Sequence, residues 1–256
     1  MLKFAPNLST MFTEVTFMER FEKAKLAGFQ FVEFQFPYAH SSDEVKKQLE
    51  KHGLEVVLFN LPPGNWEAGD RGLAIFSDRQ DEFRQSVKQA LQYAQAFECT
   101  KMHCMAGVLP ETGERTRALE IFKENVRYCA EQLGEHGINV LLEPINTYDM
   151  PNYFLSNVEL AIEILDELAL PNVKLQFDFY HMQRIQGELM KTFKKYKDRI
   201  GHVQIADNPG RHEPGTGEIN YDNIFRMLEE EGYDGFIGLE YIPKDSSENS
   251  LAWLRK

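Results

Sequence analysis

The chain is 256 residues long, is 43% hydrophobic and 27% charged, and carries a formal net charge of -12. This composition is typical of a folded globular protein and excludes intrinsic disorder. The excess of 40 acidic over 28 basic residues argues against a nucleic acid or an anionic membrane surface as a partner.

The cysteines and the start of the chain indicate a compartment. Three cysteines occur without CxxC spacing, which is typical of free thiols buried in a reduced protein. Residues 1–10 lack the apolar core of a secretory signal. No apolar stretch is as long as a membrane span, which needs about 18 residues. The sequence therefore predicts a cytoplasmic protein.

Strand-like and helix-like segments alternate along the whole chain. Short apolar runs predict strands, and longer segments with apolar residues at helical spacing predict helices. The predicted strands are residues 3–9, 31–36, 54–59, 101–105, 139–143, 173–178, 202–206 and 235–240. The predicted helices are residues 16–27, 41–52, 80–97, 114–134, 156–168, 183–196, 221–231 and 247–256.

Eight strand-then-helix units without a break in composition predict a single (β/α)8 TIM barrel, one domain over residues 1–256. A doubly wound sheet is the alternative, but the first predicted strand is not followed by a GxGxxG turn. Residues 60–81 form a loop much longer than most strand-to-helix connections, which is typical of a lid or a binding loop.

Four successive predicted strands carry an oxygen-bearing side chain at or near their carboxyl ends. One such residue could simply cap the next helix, but these four are 35, 26 and 36 positions apart, roughly one strand-plus-helix unit each. Because the carboxyl ends of barrel strands meet at one face, we expect the four side chains to converge. They are Glu143, Asp178, Gln204 and Glu240.

Carboxylates crowded together repel one another, and a bound cation relieves that repulsion. A ligand set made only of oxygens, from Glu143, Asp178, Gln204 and Glu240, favours Mg²⁺ or Mn²⁺ over zinc. Such an ion would stabilise the enediolate formed when a carbon-bound proton leaves an α-hydroxycarbonyl compound. Glu143 and Glu240 are the predicted base and acid.

Three further residues are candidates for substrate binding. His181 lies three positions after Asp178, although a surface histidine is an equal alternative. Arg211 follows the seventh strand and Arg71 lies in the long third loop, so either could bind a substrate carboxylate, although arginines are commonly exposed. Four other strand residues have only a candidate role, which a core position would explain as well: Asn7, Glu33, His103 and His202.

Several stretches resemble the hydroxypyruvate isomerase family of xylose isomerase-like barrels. They are Glu143-Pro144-Ile145-Asn146, the run from Asp178 to Arg184, and the long run from His202 to Tyr221. The loop at residues 65–72 and the opening at residues 4–9 resemble the same family, so the likeness runs nearly end to end.

The resemblance implies isomerisation of a small anionic 2-oxo acid, hydroxypyruvate, to 2-hydroxy-3-oxopropanoate, with Glu143 and Glu240 as proton donor and acceptor. It also implies a possible homo-oligomer. In related sugar epimerases a metal-binding histidine stands where this chain has Gln204, which leaves the need for a metal open.

Four other activities are alternatives on the same barrel. The first two are isomerisation of 2-oxo-tetronate and epimerisation of a ketose. A barrel that only binds a sugar acid is the third. A metal-dependent nuclease would require a histidine-rich site and a basic surface, which seven histidines and a charge of -12 argue against.

Overall fold

The computed structural model describes residues 2–255, and within them eight parallel strands form one sheet in the order β1-β8-β7-β6-β5-β4-β3-β2. A parallel bridge between Asn7 and Glu33 joins β1 to β2 and closes the ring. The predicted (β/α)8 barrel is therefore confirmed. The strands are β1 (Lys3–Pro6), β2 (Phe31–Glu33), β3 (Glu55–Asn60), β4 (Lys101–His103), β5 (Asn139–Leu142), β6 (Val173–Asp178), β7 (Ile200–Ile205) and β8 (Phe236–Leu239).

Helices surround the sheet, and several of them begin after a capping side chain. At the second helix, Ser41 accepts a hydrogen bond from the Glu44 amide while Glu44 accepts one from the Ser41 amide, which is a capping box. The helices are α1 (Phe17–Leu26), α2 (Ser42–His52), α3 (Gln80–Phe97), α4 (Arg115–Gly134), α5 (Val158–Leu168), α6 (Phe179–Ile185), α7 (Leu189–Tyr196), α8 (Tyr221–Glu230) and α9 (Ser247–Ser250). No helix in residues 2–255 combines the length and apolarity needed to cross a membrane.

Aromatic side chains fill the layer between the strands and the helices. Phe97 of α3 packs edge-on against Phe34 and Phe59, with ring centroids 5.8 and 5.7 Å away. On the opposite side, Phe193 of α7 packs against Phe177 of β6 at 5.7 Å. Large apolar surfaces buried in this layer supply most of the driving force for folding.

The sequence predicted one helix over residues 183–196, and the structure divides it into two. The first, α6, begins directly after Asp178, whose carboxylate accepts a hydrogen bond from the Tyr180 amide. It ends before Gly187 and Glu188, which have positive φ angles of 69° and 49°. A left-handed backbone cannot continue a right-handed helix, so the chain restarts as α7.

Several predicted ends were also wrong. The first strand, predicted to reach residue 9, ends at Pro6. The second strand, predicted to reach residue 36, ends at Glu33, where its pairing with β3 shifts register. The last helix, predicted to run from 247 to 256, has only one α-helical turn, α9, followed by a 3-10 turn over Ala252–Arg255. Residue 256 lies outside the described residues.

Candidate active site

Four strands bring the predicted oxygen-bearing side chains to one end of the barrel. Glu143 directly follows β5, Asp178 ends β6, Gln204 lies next to last in β7, and Glu240 directly follows β8. All four are at least 95% buried. Asp178 is the register partner of Gln204, so these two side chains start side by side.

Glu240 is held by three donors. Its Oε1 accepts hydrogen bonds from Asn7 Nδ2 at 3.1 Å and Gln35 Nε2 at 3.0 Å, and its Oε2 accepts one from Arg211 Nη2 at 2.6 Å. Burial raises the pKa of Glu240, while Arg211 opposes this shift. The carboxylate is therefore fixed in orientation on both of its oxygens.

Glu143 has fewer hydrogen-bond partners than Glu240. Its Oε1 is buried without a hydrogen-bond partner among the described residues, and the nearest ring nitrogen to its Oε2 is His103 Nδ1 at 3.6 Å. Burial, with the nearby charges of Glu240 and Asp178, raises the pKa of Glu143 well above its usual value. An unpaired buried carboxylate oxygen is costly, so this atom is where a ligand or a proton is expected.

Asp178 and His181 complete an acidic cluster with Glu143. One potential ligand atom from each of the three lies within 4.8 Å of the others, so the group is close enough to hold a metal ion. Burial raises the pKa of Asp178 to about 7, while Arg211 opposes the shift. Crowded carboxylates with raised pKa values are the electrostatic environment that a cation stabilises.

The tautomer of His181 is set by Asn146. The Asn146 Oδ1 accepts hydrogen bonds from the amides of Tyr148 and Asp149 at 3.1 and 3.0 Å, which fixes the amide orientation. Its Nδ2 therefore faces His181 Nδ1, 2.7 Å away, and donates to it. A neutral imidazole that accepts at Nδ1 carries its proton on Nε2, which points at Asp178 and Glu143.

That tautomer makes His181 a donor into the site. Burial lowers the pKa of His181 well below its usual value, and the nearby Arg211 adds to the effect, so the ring is neutral. Arg211 Nη2 makes a longer contact of 3.4 Å with His181 Nε2. With a proton on Nε2, His181 is suited to donate a hydrogen bond to an oxygen of a ligand, and in this tautomer Nε2 cannot ligate an ion.

Gln204, a predicted metal ligand, is engaged by two other buried side chains. Its Oε1 accepts a hydrogen bond from Gln176 Nε2 at 2.6 Å, and its Nε2 donates to Glu33 Oε1 at 2.7 Å. The Gln204 oxygen thus already accepts one hydrogen bond within the barrel, which leaves its second lone pair for an ion. A role for Gln204 as a metal ligand stays a prediction.

Arg211 enters the cluster from the loop after β7. Its side chain is 24% exposed, and besides Glu240 it contacts Asp178 Oδ2 at 3.5 Å. Burial opposes its charge, but the carboxylates of Glu240, Asp178 and Glu143 raise its pKa. Its Nε is buried without a partner in the described part of the chain, which leaves one N–H free for a ligand.

The loop that carries Arg211 is organised by Asp207. Its fully buried carboxylate accepts four backbone hydrogen bonds of 2.9 to 3.0 Å from loop residues. The donors are Asn208, Gly215, Gly217 and Ile219. Arg211 itself has a φ of 57°, and its carbonyl accepts a hydrogen bond from the Ile242 amide.

Arg71, the other predicted substrate-binding arginine, is bound within its own loop. Its Nη1 donates to the carbonyls of Trp66 and Asp70 at 3.0 and 2.7 Å, and its guanidinium lies 3.8 Å from the centre of the Trp66 ring. Trp66 packs in turn on Phe36, which follows β2. A role for Arg71 in substrate binding stays a prediction.

Sequence reasoning gave no role to the residues that support this cluster. Gln35 and Asn146 hold Glu240 and His181, yet each is an amide in a loop with no spacing pattern. Glu33 and Asn7 were only strand-end candidates. Their position beside Glu240 depends on β1 meeting β2 and β8, which a pattern along the chain cannot reveal.

Two buried glutamates, an aspartate, a donor histidine and an arginine converge at the carboxyl end of a closed parallel barrel. In barrels of this fold that end carries the active site, so the arrangement defines a TIM-barrel enzyme with acid–base groups.

Comparison with known proteins gives the family. Residues 21–256 match the family model described as "Xylose isomerase-like TIM barrel", and the chain belongs to that family. Hydroxypyruvate isomerase of Escherichia coli K12 is 44% identical, covering 99% of this chain and 98% of the relative. 2-Oxo-tetronate isomerase of Cupriavidus necator is 42% identical, covering 100% and 98%. The protein is thus an isomerase.

A solved structure is also similar over its whole length. The crystal structure described as "AP endonuclease, family 2" from Brucella melitensis is 47% identical, covers 100% of this chain and 98% of its own, and has a TM-score of 0.97. The backbone of the barrel is therefore nearly the same in the two proteins.

Proposed function

We propose that the protein interconverts hydroxypyruvate and 2-hydroxy-3-oxopropanoate. The observation that carries this proposal is the pair of buried glutamates, Glu143 and Glu240, at one rim with Arg211 bonded to one and close to the charge of the other. Relatives at 44% and 42% identity that are named as isomerases of small oxo acids support it.

Binding of the anionic substrate would use Arg211 and His181. The free N–H on Arg211 Nε is suited to a carboxylate oxygen, and the proton on His181 Nε2 is suited to a carbonyl or hydroxyl oxygen. Both donors lie near the same oxygen, Asp178 Oδ2, at 3.7 Å for His181 Nε2 and 3.5 Å for Arg211 Nη2. They would hold the three-carbon chain between the two glutamates.

The reaction would then be a pair of proton transfers. One glutamate removes a proton from C3 of hydroxypyruvate, which leaves an enediolate across C2 and C3. The other returns a proton to C2, while the C3 hydroxyl proton moves to the C2 oxygen, so C2 becomes the hydroxyl carbon and C3 the aldehyde. The donor on His181 faces the oxygens on which negative charge develops.

A divalent cation fits the same cluster. We propose Mg²⁺ or Mn²⁺ held by Glu143, Asp178, Gln204 and Glu240, because burial raises the pKa of each of the three carboxyl groups and Glu143 Oε1 has no partner among the residues described. When bound, the ion would supply positive charge against the oxygens of the enediolate.

Proton NMR in D₂O tests the proposal directly. The purified protein with hydroxypyruvate should form 2-hydroxy-3-oxopropanoate with deuterium at C2, and Glu143→Gln and Glu240→Gln should each slow formation by at least about 10³-fold. Chelated and Mn²⁺-supplemented samples decide whether the ion is needed. A wild-type protein that neither turns over nor exchanges the C3 protons would refute the three-carbon assignment.

A second candidate is isomerisation of 2-oxo-tetronate to 3-oxo-tetronate, which the relatives of that name at 41% to 42% identity favour. The two substrates share the 2-oxo acid end and differ by one hydroxymethyl group. The ratio of kcat/KM for the two compounds, measured in one preparation, assigns the substrate.

Nuclease activity is an alternative function, suggested by the description of the similar crystal structure. We favour the isomerase because the net charge of -12 opposes approach of a polyanion. The described cluster that could hold a metal has two carboxylates and one histidine. Incubation with duplex DNA containing an abasic site, with Mn²⁺ or Zn²⁺ added, should leave the strand intact.

A further inference from the structure

A buried polar network lies beneath the acidic cluster, and the proposed reaction does not use it. Its centre is Glu33, the last residue of β2, which is fully buried. Glu33 Oε1 accepts hydrogen bonds from Asn7 Nδ2 at 3.0 Å and Gln204 Nε2 at 2.7 Å. Glu33 Oε2 lies 2.7 Å from His202 Nε2, so one proton joins these two atoms.

Asn7 connects this network to the catalytic pair. Its Oδ1 accepts a hydrogen bond from the Ser9 amide at 2.9 Å, which fixes the amide orientation. Both hydrogens of its Nδ2 then face carboxylates, Glu33 at 3.0 Å and Glu240 at 3.1 Å. An amide group held between two carboxylate oxygens can move toward one only by leaving the other.

A glycine in β8 leaves room for the Glu33 side chain. Gly238, in β8, lies against the Glu33 carboxylate, and a Cβ at this position would overlap both of its oxygens. Gly238 has no positive φ, so the absent side chain, and not the backbone conformation, is what this position requires. The barrel wall is thus shaped around the carboxylate of Glu33.

We propose that Glu33 is a positioning residue: it holds Asn7, and through Asn7 it sets the orientation of the Glu240 carboxylate. This inference rests on the proposed function, since Glu240 must act on the substrate for its orientation to matter. With Oε1 of Glu240 anchored toward Asn7 and Gln35, its Oε2 is left facing Arg211 and the site.

The role needs an acceptor oxygen on residue 33 and not a charge. Replacement by methionine keeps a side chain of similar length but removes the acceptor, which frees the Asn7 amide and leaves buried donors unpaired. Replacement by glutamine keeps an oxygen at the Oε1 position, and its amide can donate to His202 Nε2. The two variants therefore separate positioning from charge.

Steady-state kinetics with hydroxypyruvate is the test. We expect Glu33→Met to lower kcat by about 10- to 100-fold with KM changed by less than about threefold, the size of effect typical for outer partners of an active carboxylate. Glu33→Gln should keep kcat within about threefold of wild type. Glu55→Met, the same change at an exposed position on β3, is the matched control.

Two results would overturn the proposal. If the folded Met variant keeps wild-type kcat, Glu33 serves only stability. If the Gln variant falls as far as the Met variant, the charge of Glu33 matters and not its acceptor. Should wild type itself not turn over hydroxypyruvate or 2-oxo-tetronate, the proposed function fails instead, so the two failures are distinguishable.

A double-mutant cycle tests the path through Asn7. If Glu33 acts through Asn7, the double variant Asn7→Ala/Glu33→Met should be no more than about threefold slower than the slower single variant. If the losses in kcat of the two single variants multiply in the double variant, the two residues act independently and the proposal is refuted.

Gly238→Ala displaces Glu33 without changing any polar group, and it serves if Glu33→Met fails to fold. We expect a similar fall in kcat. Gly201→Ala is its control, because a Cβ at Gly201 in β7 would also be too close to its neighbours, although less so than at Gly238, and the nearest of them are side-chain atoms of Lys174 and Leu141. That variant should lose stability while the folded fraction keeps wild-type kcat, and an equal loss of kcat in both would contradict the inference.

Discussion

Two polar side chains at the site are oriented by amide side chains outside the acidic cluster. Asn146 orients His181, and Asn7 and Gln35 orient Glu240, whereas Glu143 Oε1 and Arg211 Nε have no hydrogen-bond partner within the described range. Fixed donors and acceptors need no reorganisation when charge develops on a substrate. Substitutions of the supporting amide side chains therefore test the site as directly as substitutions of the carboxylates do.

Asn146→Asp should reverse the tautomer of His181. A carboxylate at this position accepts a hydrogen bond from Nδ1–H and so favours the tautomer with the proton on Nδ1, in which Nε2 has no hydrogen to donate toward the substrate. We expect kcat to fall by about 10- to 100-fold, with the change of tautomer visible in the ¹⁵N chemical shifts of the ring.

Asn157→Asp is the control for that variant. Asn157 caps α5 by accepting from the Leu160 amide, which aspartate does equally well. Unaltered ¹⁵N shifts for His181 in Asn146→Asp would contradict the assignment of the proton to Nε2.

Glu33 should make the metal-free protein less stable as the pH rises. Burial raises its pKa to about 7 from 4.5, so between these values the folded state holds a proton that the unfolded state has released. The free energy of unfolding therefore falls across this window, by about 3 kcal/mol from Glu33 alone, and levels off above pH 7.

Urea unfolding of chelated protein at pH 4.5, 6 and 7.5 measures this loss. Glu33→Gln cannot titrate, so its stability should decline by about 3 kcal/mol less than that of wild type over the same range. Parallel curves for the two proteins would show that Glu33 ionises normally.

At the scale of elements, the loop after β7 is held together as one unit because the Asp207 carboxylate accepts hydrogen bonds from four of its amides. In Asp207→Asn an amide group would face some of the four backbone donors, which leaves buried N–H groups unpaired. We expect a loss of about 2 to 4 kcal/mol in stability and a rise in KM of at least about tenfold, since Arg211 is no longer held in place.

Chemical denaturation and kinetics on Asp207→Asn check both effects. Asp222→Asn, an exposed change in the first turn of α8, should alter neither. A normal KM in Asp207→Asn would show that Arg211 is positioned without the loop.

The elements also show what sequence reasoning could reach. Periodicity identified all eight strands because buried parallel strands read as continuous apolar runs, such as residues 139–142. It missed the break between α6 and α7, although Gly187, which with Glu188 has a positive φ, is the kind of residue at which helices commonly end. The hydrogen-bond partners of Gln204, Gln176 on β6 and Glu33 on β2, could not be predicted, because they depend on how distant strands meet in the closed barrel.

For the whole molecule, a bound cation should raise thermal stability, because it relieves repulsion among three carboxylates that burial forces together. Ions that bind only the folded state stabilise it by about 2.7 kcal/mol at one hundred times Kd. We expect Mn²⁺ to raise the Tm of chelated wild type by several degrees and that of Asp178→Asn much less.

Differential scanning calorimetry with and without Mn²⁺ measures this effect. Asp166→Asn, at a position in α5 away from the cluster, should respond like wild type. An equal response in Asp178→Asn would place the ion elsewhere.

The barrel closes by pairing β1 with both β2 and β8. Asn7 and Glu240, which touch, are 233 positions apart in the chain. During synthesis the ribosome must therefore release the eighth strand before Asn7 can orient Glu240. Under the proposed mechanism we expect a nascent chain that already holds Glu143, Asp178 and Arg211 but lacks β8 to be inactive.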